Sequence, residues 1–457
     1  MMVAKRFSWI LVALTILILL PAVAQAGLTG KITGKIVDKK TGEGIPGVSV
    51  VLKGTKTGAM TKPDGSFIIL NIPPKTYDVV VRLIGYKNVT IKDVVVLTDK
   101  TFRLGTIEME ETVLEEEEQV ITAKRDEIRL GEVQNIRSVT SEEIKQMPVD
   151  NVDQILTTQV GVVNRNGEIH IRGGRAGEVS YIVDGVETRD PLGGQGATDV
   201  GINLTSNALE EVQVIKAGFD AEYGSVMTGV VRVATREGSV QLTSGRFEYW
   251  TDNFRAPELN AYSFNYDRVA FNLSGPEPLF SQRVLPALGL DFLEDKLAYF
   301  INLDVTKNTG YLDFNEYAPN LHRRDYQTRE FLGITFNDRQ YNTFNFQTKL
   351  SYNPTPGIRM ILNYTGQWEY YNHYTRASWD YRYVPFNEAY TEEESHLMSF
   401  TFNHQIDQST FYEVILSRYE KTYFTLPDNK LAPGRGMYPE DYLLYTDWEY
   451  YIDYDNN

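Results

Sequence analysis

From residue 239 onward, apolar and polar residues alternate in one segment after another. Tyr299, Ile301, Leu303 and Val305 interleave with Asn302 and Asp304; Phe344, Phe346, Thr348, Leu350 and Tyr352 interleave with Asn345, Gln347, Lys349 and Ser351. Met398, Phe400 and Phe402 repeat the pattern, as do Tyr412, Val414 and Leu416, where Ile415 breaks it. A period of two gives a strand one apolar face and one polar face. A soluble all-β domain with one wet face would explain the alternation. It would not explain why 25 of the 29 tyrosines lie after residue 240. A transmembrane β-barrel explains both: an apolar face toward lipid, a polar face toward the lumen, and aromatic girdles at the two interfaces. Behind residue 26 no apolar run is long enough for a membrane helix, so a membrane-entering chain of this kind must enter as a barrel.

The first 26 residues read as a secretory signal peptide. Lys5 and Arg6 form the basic start, Trp9 to Leu20 the apolar run, and Ala24-Gln25-Ala26 the small residues at the cleavage position. Twelve apolar residues of helix span only about 18 Å, short of a hydrocarbon core of roughly 30 Å. The absence of cysteine excludes disulfides, thiol nucleophiles and thiolate metal sites, and five histidines leave little for a His-rich metal site. A net charge of -16 argues against nucleic acid as a partner. No metal, cofactor or catalytic residue is expected.

Residues 28–110 carry short strands separated by turn residues, the pattern of a small β-sandwich. Pro63-Asp64-Gly65 is a turn, and Asp64 belongs to it rather than to an acid catalyst. The stretch closely resembles the carboxypeptidase regulatory-like domain through Gly34 to Asp38, Gly44 to Val50, Thr61 to Phe67 and Val81 to Tyr86. That resemblance implies the fold and leaves the function open.

Residues 111–129 form an acidic linker, with seven Glu between Glu108 and Glu118. Gln119 to Ala123 follows as a β-branched segment. It reads either as one short strand behind a charged spacer or as a detachable strand able to add to a partner's sheet edge.

Residues 130–238 look like a compact α/β unit. A helix starts at Thr140 or Ser141 and ends at Met147-Pro148; a second runs from Val152 to Thr158. Glu168 to Arg172, Val212 to Ile215 and Val230 to Val233 read as strands, and Tyr181 to Val186 as a strand leading into a turn. Arg172, Arg175, Asp184 and Glu222 read as paired charges holding glycine-rich loops, and His170 lacks a companion ligand. Gly173 to Gly177 lacks the Lys-Ser/Thr of a phosphate loop.

This unit resembles the plug domain of the TonB-dependent outer-membrane transporters. The resemblance rests on Pro148, Ile155 and Gly161, on Arg172-Gly173-Gly174, on Asp184-Gly185, on Leu209 to Gly218, on Glu222-Tyr223-Gly224, and on Gly229 to Thr235. One strand end departs from the family pattern, with Lys216-Ala217-Gly218 where "RG" is usual. The resemblance implies that Val120, Ile121, Thr122 and Ala123 form the TonB box, the strand that recruits the periplasmic energy coupler.

The fold expected is therefore mainly β: a small β-sandwich, an α/β plug domain, and in 239–457 the first strands of a 22-stranded transmembrane β-barrel. The last zone holds 219 residues, enough for about ten or eleven strands with their connections. So narrow a barrel could not enclose a plug, since plugged lumens belong to 22-stranded barrels. The chain is expected to be the N-terminal part of a longer receptor.

The resemblance implies TonB-dependent import of a bulky nutrient across the outer membrane, with TonB, ExbB and ExbD as partners, contact with outer-membrane lipid, and a surface lipoprotein lid in some relatives. A non-importing structural or secretion-associated outer-membrane protein is the alternative, favoured by the Lys216 strand end. An exported soluble adhesion module is a third option. Tyr370, Tyr371, Tyr374 and Trp379 are candidate ligand contacts near an outer loop; girdle residues are the plainer reading. In the loop from Glu187 to Asn207, the segment Asp190 to Gly196 carries no aromatic platform for a sugar ring, and it lacks a cluster of Arg or Lys for an anionic iron chelate. Together with the aromatics Tyr370 to Tyr383, that tilts the expected cargo toward a glycan or peptide.

Overall fold

The computed structural model describes residues 29–55, 57–112, 118–122, 136–165, 168–175, 177–188, 201–219, 223, 226–252, 266–278, 280–287, 293, 295–308, 328–331, 334–337, 342–355, 357–372, 389–407 and 410–427. Three β-rich units follow one another along the chain.

The first is a sandwich. Strands β1 (Gly30–Asp38), β4 (Ser66–Ile72) and β7 (Thr101–Met109) form one sheet in the order β4-β1-β7. Strands β2 (Ser49–Leu52), β3 (Gly58–Met60), β5 (Lys75–Arg82), β6 (Asn88–Val96) and β8 (Glu118–Thr122) form the other, in the order β3-β2-β5-β6-β8. Ile32, Ile36, Val50, Leu52, Phe67, Val79, Val81 and Ile91 close the core between them. Asp64 is a turn residue: its carboxylate accepts from the Ser66 amide at 3.0 Å and the Ser66 hydroxyl at 2.7 Å. Gly65 sits at φ 78°, and a Cβ there would lie 2.2 Å from the Ile36 carbonyl.

The second unit carries helices α1 (Ser141–Ile144) and α2 (Val152–Thr157), capped by the Thr140 and Asn151 side chains. Strands β10 (Val162–Arg165) and β11 (Glu168–Ile171) make a hairpin. The main sheet takes β9 (Ile136–Thr140), β12 (Val179–Val183), β13 (Val186–Glu187), β14 (Leu209–Ile215) and β15 (Gly229–Thr235) in the order β13-β12-β15-β14-β9. β14 and β15 are buried along almost their whole length, as a sheet covered on both faces requires.

The third unit is a wall of long antiparallel strands. β16 (Ser244–Thr251), β17 (Asp267–Pro276), β18 (Leu297–Lys307), β21 (Asn342–Thr355), β22 (Ile358–Asn372), β23 (Ala389–Gln405) and β24 (Phe411–Pro427) pair in chain order; β19 (Thr328–Phe331) and β20 (Ile334–Asn337) form a separate hairpin between β18 and β21. The period-two pattern becomes two faces. Asn302, Asp304, Asn345, Gln347, Lys349, Ser351, Asn363 and Ser399 are buried on the inner face, while Leu350, Leu362, Met398 and Leu416 are exposed on the outer one. Ile415, which breaks the alternation, packs with Leu397 and Tyr419 against the core of the second unit. It is an inward-facing apolar residue where the wall meets a protein core. Among the described residues no helix is long and apolar enough to cross a membrane, which leaves a strand-built crossing untouched.

Candidate functional site

The second unit is fastened on both sides, and its motif residues mark the fastenings. Asp184 (φ 46°) and Gly185 (φ 80°) form the two-residue turn between β12 and β13, in the left-handed geometry that Asp-Gly favours. The turn buries the Asp184 carboxylate. It accepts from the Thr235 amide at 3.0 Å and the Thr235 hydroxyl at 2.5 Å, and it pairs with Lys349 of the wall at 3.1 Å. The expected charge pairing thus exists for Asp184, but its partner is the wall lysine. Lys349 also donates to the Thr235 carbonyl at 3.1 Å.

Other ties run the same way. Asn203, Thr205 and Asn207 meet Gln367, Asn302 and Glu248 at 2.7, 3.1 and 2.9 Å. The carbonyl of Gly201 accepts from the Tyr419 hydroxyl at 2.6 Å. Arg268 of β17 clamps Asp304 with bonds of 3.0 and 2.7 Å, reaches Asp150, and stacks over Trp250 at 4.6 Å. Behind β15, Glu237 pairs with Arg359 of the wall. Burial alone would raise the Glu237 carboxyl, but Arg359 and Lys349 bring it below its ordinary value.

The sandwich joins from the other side. In the turn after β6, the Thr98 amide and hydroxyl both donate to Glu211 at 2.8 Å, and Gln213 donates back to the Thr98 carbonyl at 3.0 Å. Asp99 pairs with Arg232 at 3.2 Å. Burial pushes the Glu211 carboxyl up, opposed by the hydrogen bonds from Thr98 and Gln213. Lys31 of β1 lies over the Phe411 ring of β24 at 5.4 Å. A cavity of about 580 Å³ remains where the three units meet, lined in part by Tyr77, Glu210, Glu237 and Lys349.

The remaining expected site residues fall as follows. Arg172 is exposed at φ 52°, and its amide donates to the Gly161 carbonyl at 2.8 Å. Gly173 follows at φ 76°; at Gly174 a Cβ would lie 2.1 Å from Thr228. Tyr223 accepts from Arg232 at 3.3 Å, while Glu222 and Gly224 lie outside the described residues. Lys216, at the atypical strand end, donates to the Val160 carbonyl; burial, then Arg172 and Arg137, lower its pKa. Val120 and Ile121 are 52% and 37% exposed in β8, Thr122 ends that strand, and Ala123 lies outside the described residues. Tyr370 and Tyr371 sit near the end of β22, and Tyr370 is fully buried, its ring stacked with Trp368 at 6.1 Å. Tyr374 and Trp379 lie outside the described residues.

Two domain families match the chain: the CarboxypepD_reg-like domain over residues 32–121 and the TonB-dependent receptor plug domain over residues 130–231. TonB-dependent receptor P39 of Formosa agariphila is 30% identical over 224 residues, covering 47% of this chain and 20% of its own. TonB-dependent transporter Oar of Myxococcus xanthus is 25% identical, covering 48% and 22%. TonB-dependent receptor SusC of Bacteroides thetaiotaomicron is 30% identical, covering 44% and 21%. The match thus spans about a fifth of each relative's length, and the relatives are receptors and transporters by name. Among solved structures, the alcaligin outer-membrane receptor FauA of Bordetella pertussis aligns with a TM-score of 0.44 at 13% identity, over 64% of this chain and 40% of that one. The chain thus carries a carboxypeptidase regulatory-like domain followed by the plug domain of TonB-dependent receptors, in that order.

Proposed function

We propose that the protein is an outer-membrane receptor that imports a bulky nutrient by TonB-dependent energy coupling. The observation that carries the reading is one of placement. A short strand-forming segment, β8, stands directly ahead of a plug domain whose polar ties run into the inner face of a strand wall. Val120 to Ala123 is the TonB box, pairing by backbone hydrogen bonds with periplasmic TonB, which ExbB and ExbD energise. Pulling on that strand loosens the plug. The outer face of the wall meets lipid, and a surface lipoprotein covers the outer opening. No covalent chemistry enters this scheme. Deleting Val120 to Ala123 from the full-length receptor is expected to stop uptake while surface binding persists; undiminished uptake would defeat the reading in favour of a non-importing outer-membrane protein.

The cargo we propose is a neutral glycan or peptide. Support comes from the lack of an Arg or Lys cluster in the loop after Glu187 and from the aromatic residues Tyr371, Tyr374, Trp379, Tyr381 and Tyr383; Tyr370, fully buried against Trp368, is not among the contacts. Abundance of the protein is expected to rise on polymeric carbon or peptide sources. Induction by iron starvation alone would reverse the assignment.

A further inference from the structure

The segment read as a coupling strand is already paired in this structure. β8 lies along β6 as a parallel edge strand, with Asn88, Val89, Thr90, Ile91 and Lys92 opposite Glu118, Gln119, Val120, Ile121 and Thr122 in unbroken register. We propose that the β6 edge of the sandwich is a binding site for the chain's own TonB box, and that it competes with TonB for the same strand. The proposal rests on the import reading above and adds the occupant that must leave first.

The chain is steered to this edge. Behind β7 the backbone crosses the β5–β6 turn: the Lys87 amide donates to the Glu110 carbonyl at 2.9 Å and the Thr112 amide to the Gly85 carbonyl at 2.9 Å. Tyr86 bridges Glu111, and Lys87 and Lys39 approach Glu110 at 3.9 and 3.6 Å. The segment is therefore anchored beside Gly85, next to the start of β6, and only residues 113–117 separate that anchor from Glu118. So short a tether gives the strand a high effective concentration at the β6 edge. The matched CarboxypepD_reg-like domain runs to residue 121 and takes in most of the strand.

The pairing is also built to be reversible. It is five residues long and parallel, the slightly weaker arrangement per residue. Val120 and Ile121 stay substantially exposed, so the backbone ladder holds the strand and little apolar surface is buried with it. A β-augmenting partner that takes the edge of the strand now facing β6 excludes that pairing, whereas one that added to the outer edge of β8 would leave it in place.

The test exploits the absence of cysteine from these 457 residues; any cysteine elsewhere in the full-length receptor would be replaced by Ser. Neighbouring strands lie about 4.8 Å apart, within the Cα separation a disulfide accepts. The full-length receptor in detergent would carry Thr90→Cys with Val120→Cys, or Asn88→Cys with Glu118→Cys, the second pair leaving Val120 to Ala123 intact. Binding of the purified periplasmic domain of TonB is then measured before and after reduction. The oxidised form of each pair is expected to bind at least ten-fold more weakly than its own reduced form, with the unsubstituted receptor indifferent to reductant. Equal binding by oxidised and reduced forms of both pairs would overturn the competition while leaving the import reading intact. Failure of the unsubstituted receptor to bind TonB would instead sink the import reading, and the competition with it.

Discussion

Asp184 and Gly185 illustrate how far a residue can be read from its neighbours. Asp-Gly between two β-branched runs specifies a tight hairpin, and the hairpin forms. The partner of the carboxylate could not be read locally, because Lys349 belongs to another unit and is brought close only by the packed fold. The cluster of Arg268, Asp304 and Asp150 is not legible locally for the same reason, although an arginine and an acid on the polar faces of two successive strands are a signal of pairing. Glu237 gives this scale its sharpest expectation. Its carboxyl is held below the ordinary value of 4.5, so its contribution to stability is present above that pH and is lost as pH falls through the lowered value. Glu237→Gln is expected to destabilise the protein by about 3 kcal/mol at neutral pH, because it leaves Arg359 without its charge partner. The gap should close as pH drops below about 4.5, read as the difference in thermal denaturation between the variant and the unsubstituted protein across pH. A gap that stayed constant through that range would mean that the pair does not act as a charge pair.

At the scale of elements, strands are the legible part. Alternation located β18, β21, β23 and β24. Two things escaped it. One was the docking of β8, since a five-residue strand with three β-branched residues says nothing about which edge it meets. The other was Ile415, which looked like an irregularity of the membrane pattern and is part of an inward patch with Leu397 and Tyr419. Period-two reasoning assumes that the inner face meets water, whereas in this protein it meets a packed domain. Leu397 is completely buried there. Leu397→Ala is expected to cost about 2–5 kcal/mol, with unchanged strand content by circular dichroism and a lower denaturation midpoint. An unaltered midpoint would show that the wall and plug are not joined through this patch.

The whole molecule joins three units in series: sandwich to plug through Thr98, Glu211, Asp99 and Arg232, and plug to wall through Asp184 with Lys349 and Asp150 with Arg268. Their order was readable because each unit has its own motif and period. Their docking was not, because every tie depends on residues far apart in the chain. The arrangement gives force on the segment ahead of the plug a route into a domain tied to the wall, which is the central claim. Cysteine scanning tests it directly, without a known cargo. Single cysteines at Val120, Ile121, Thr122 and Ala123 of the full-length receptor would be paired in cells with single cysteines along periplasmic TonB. Disulfide cross-links are expected from this segment, stronger at alternate positions as an added strand requires, and absent from a control cysteine at exposed Leu362 on the outer face of the wall. No cross-link from any of the four positions, in cells where TonB couples another receptor normally, would contradict the account.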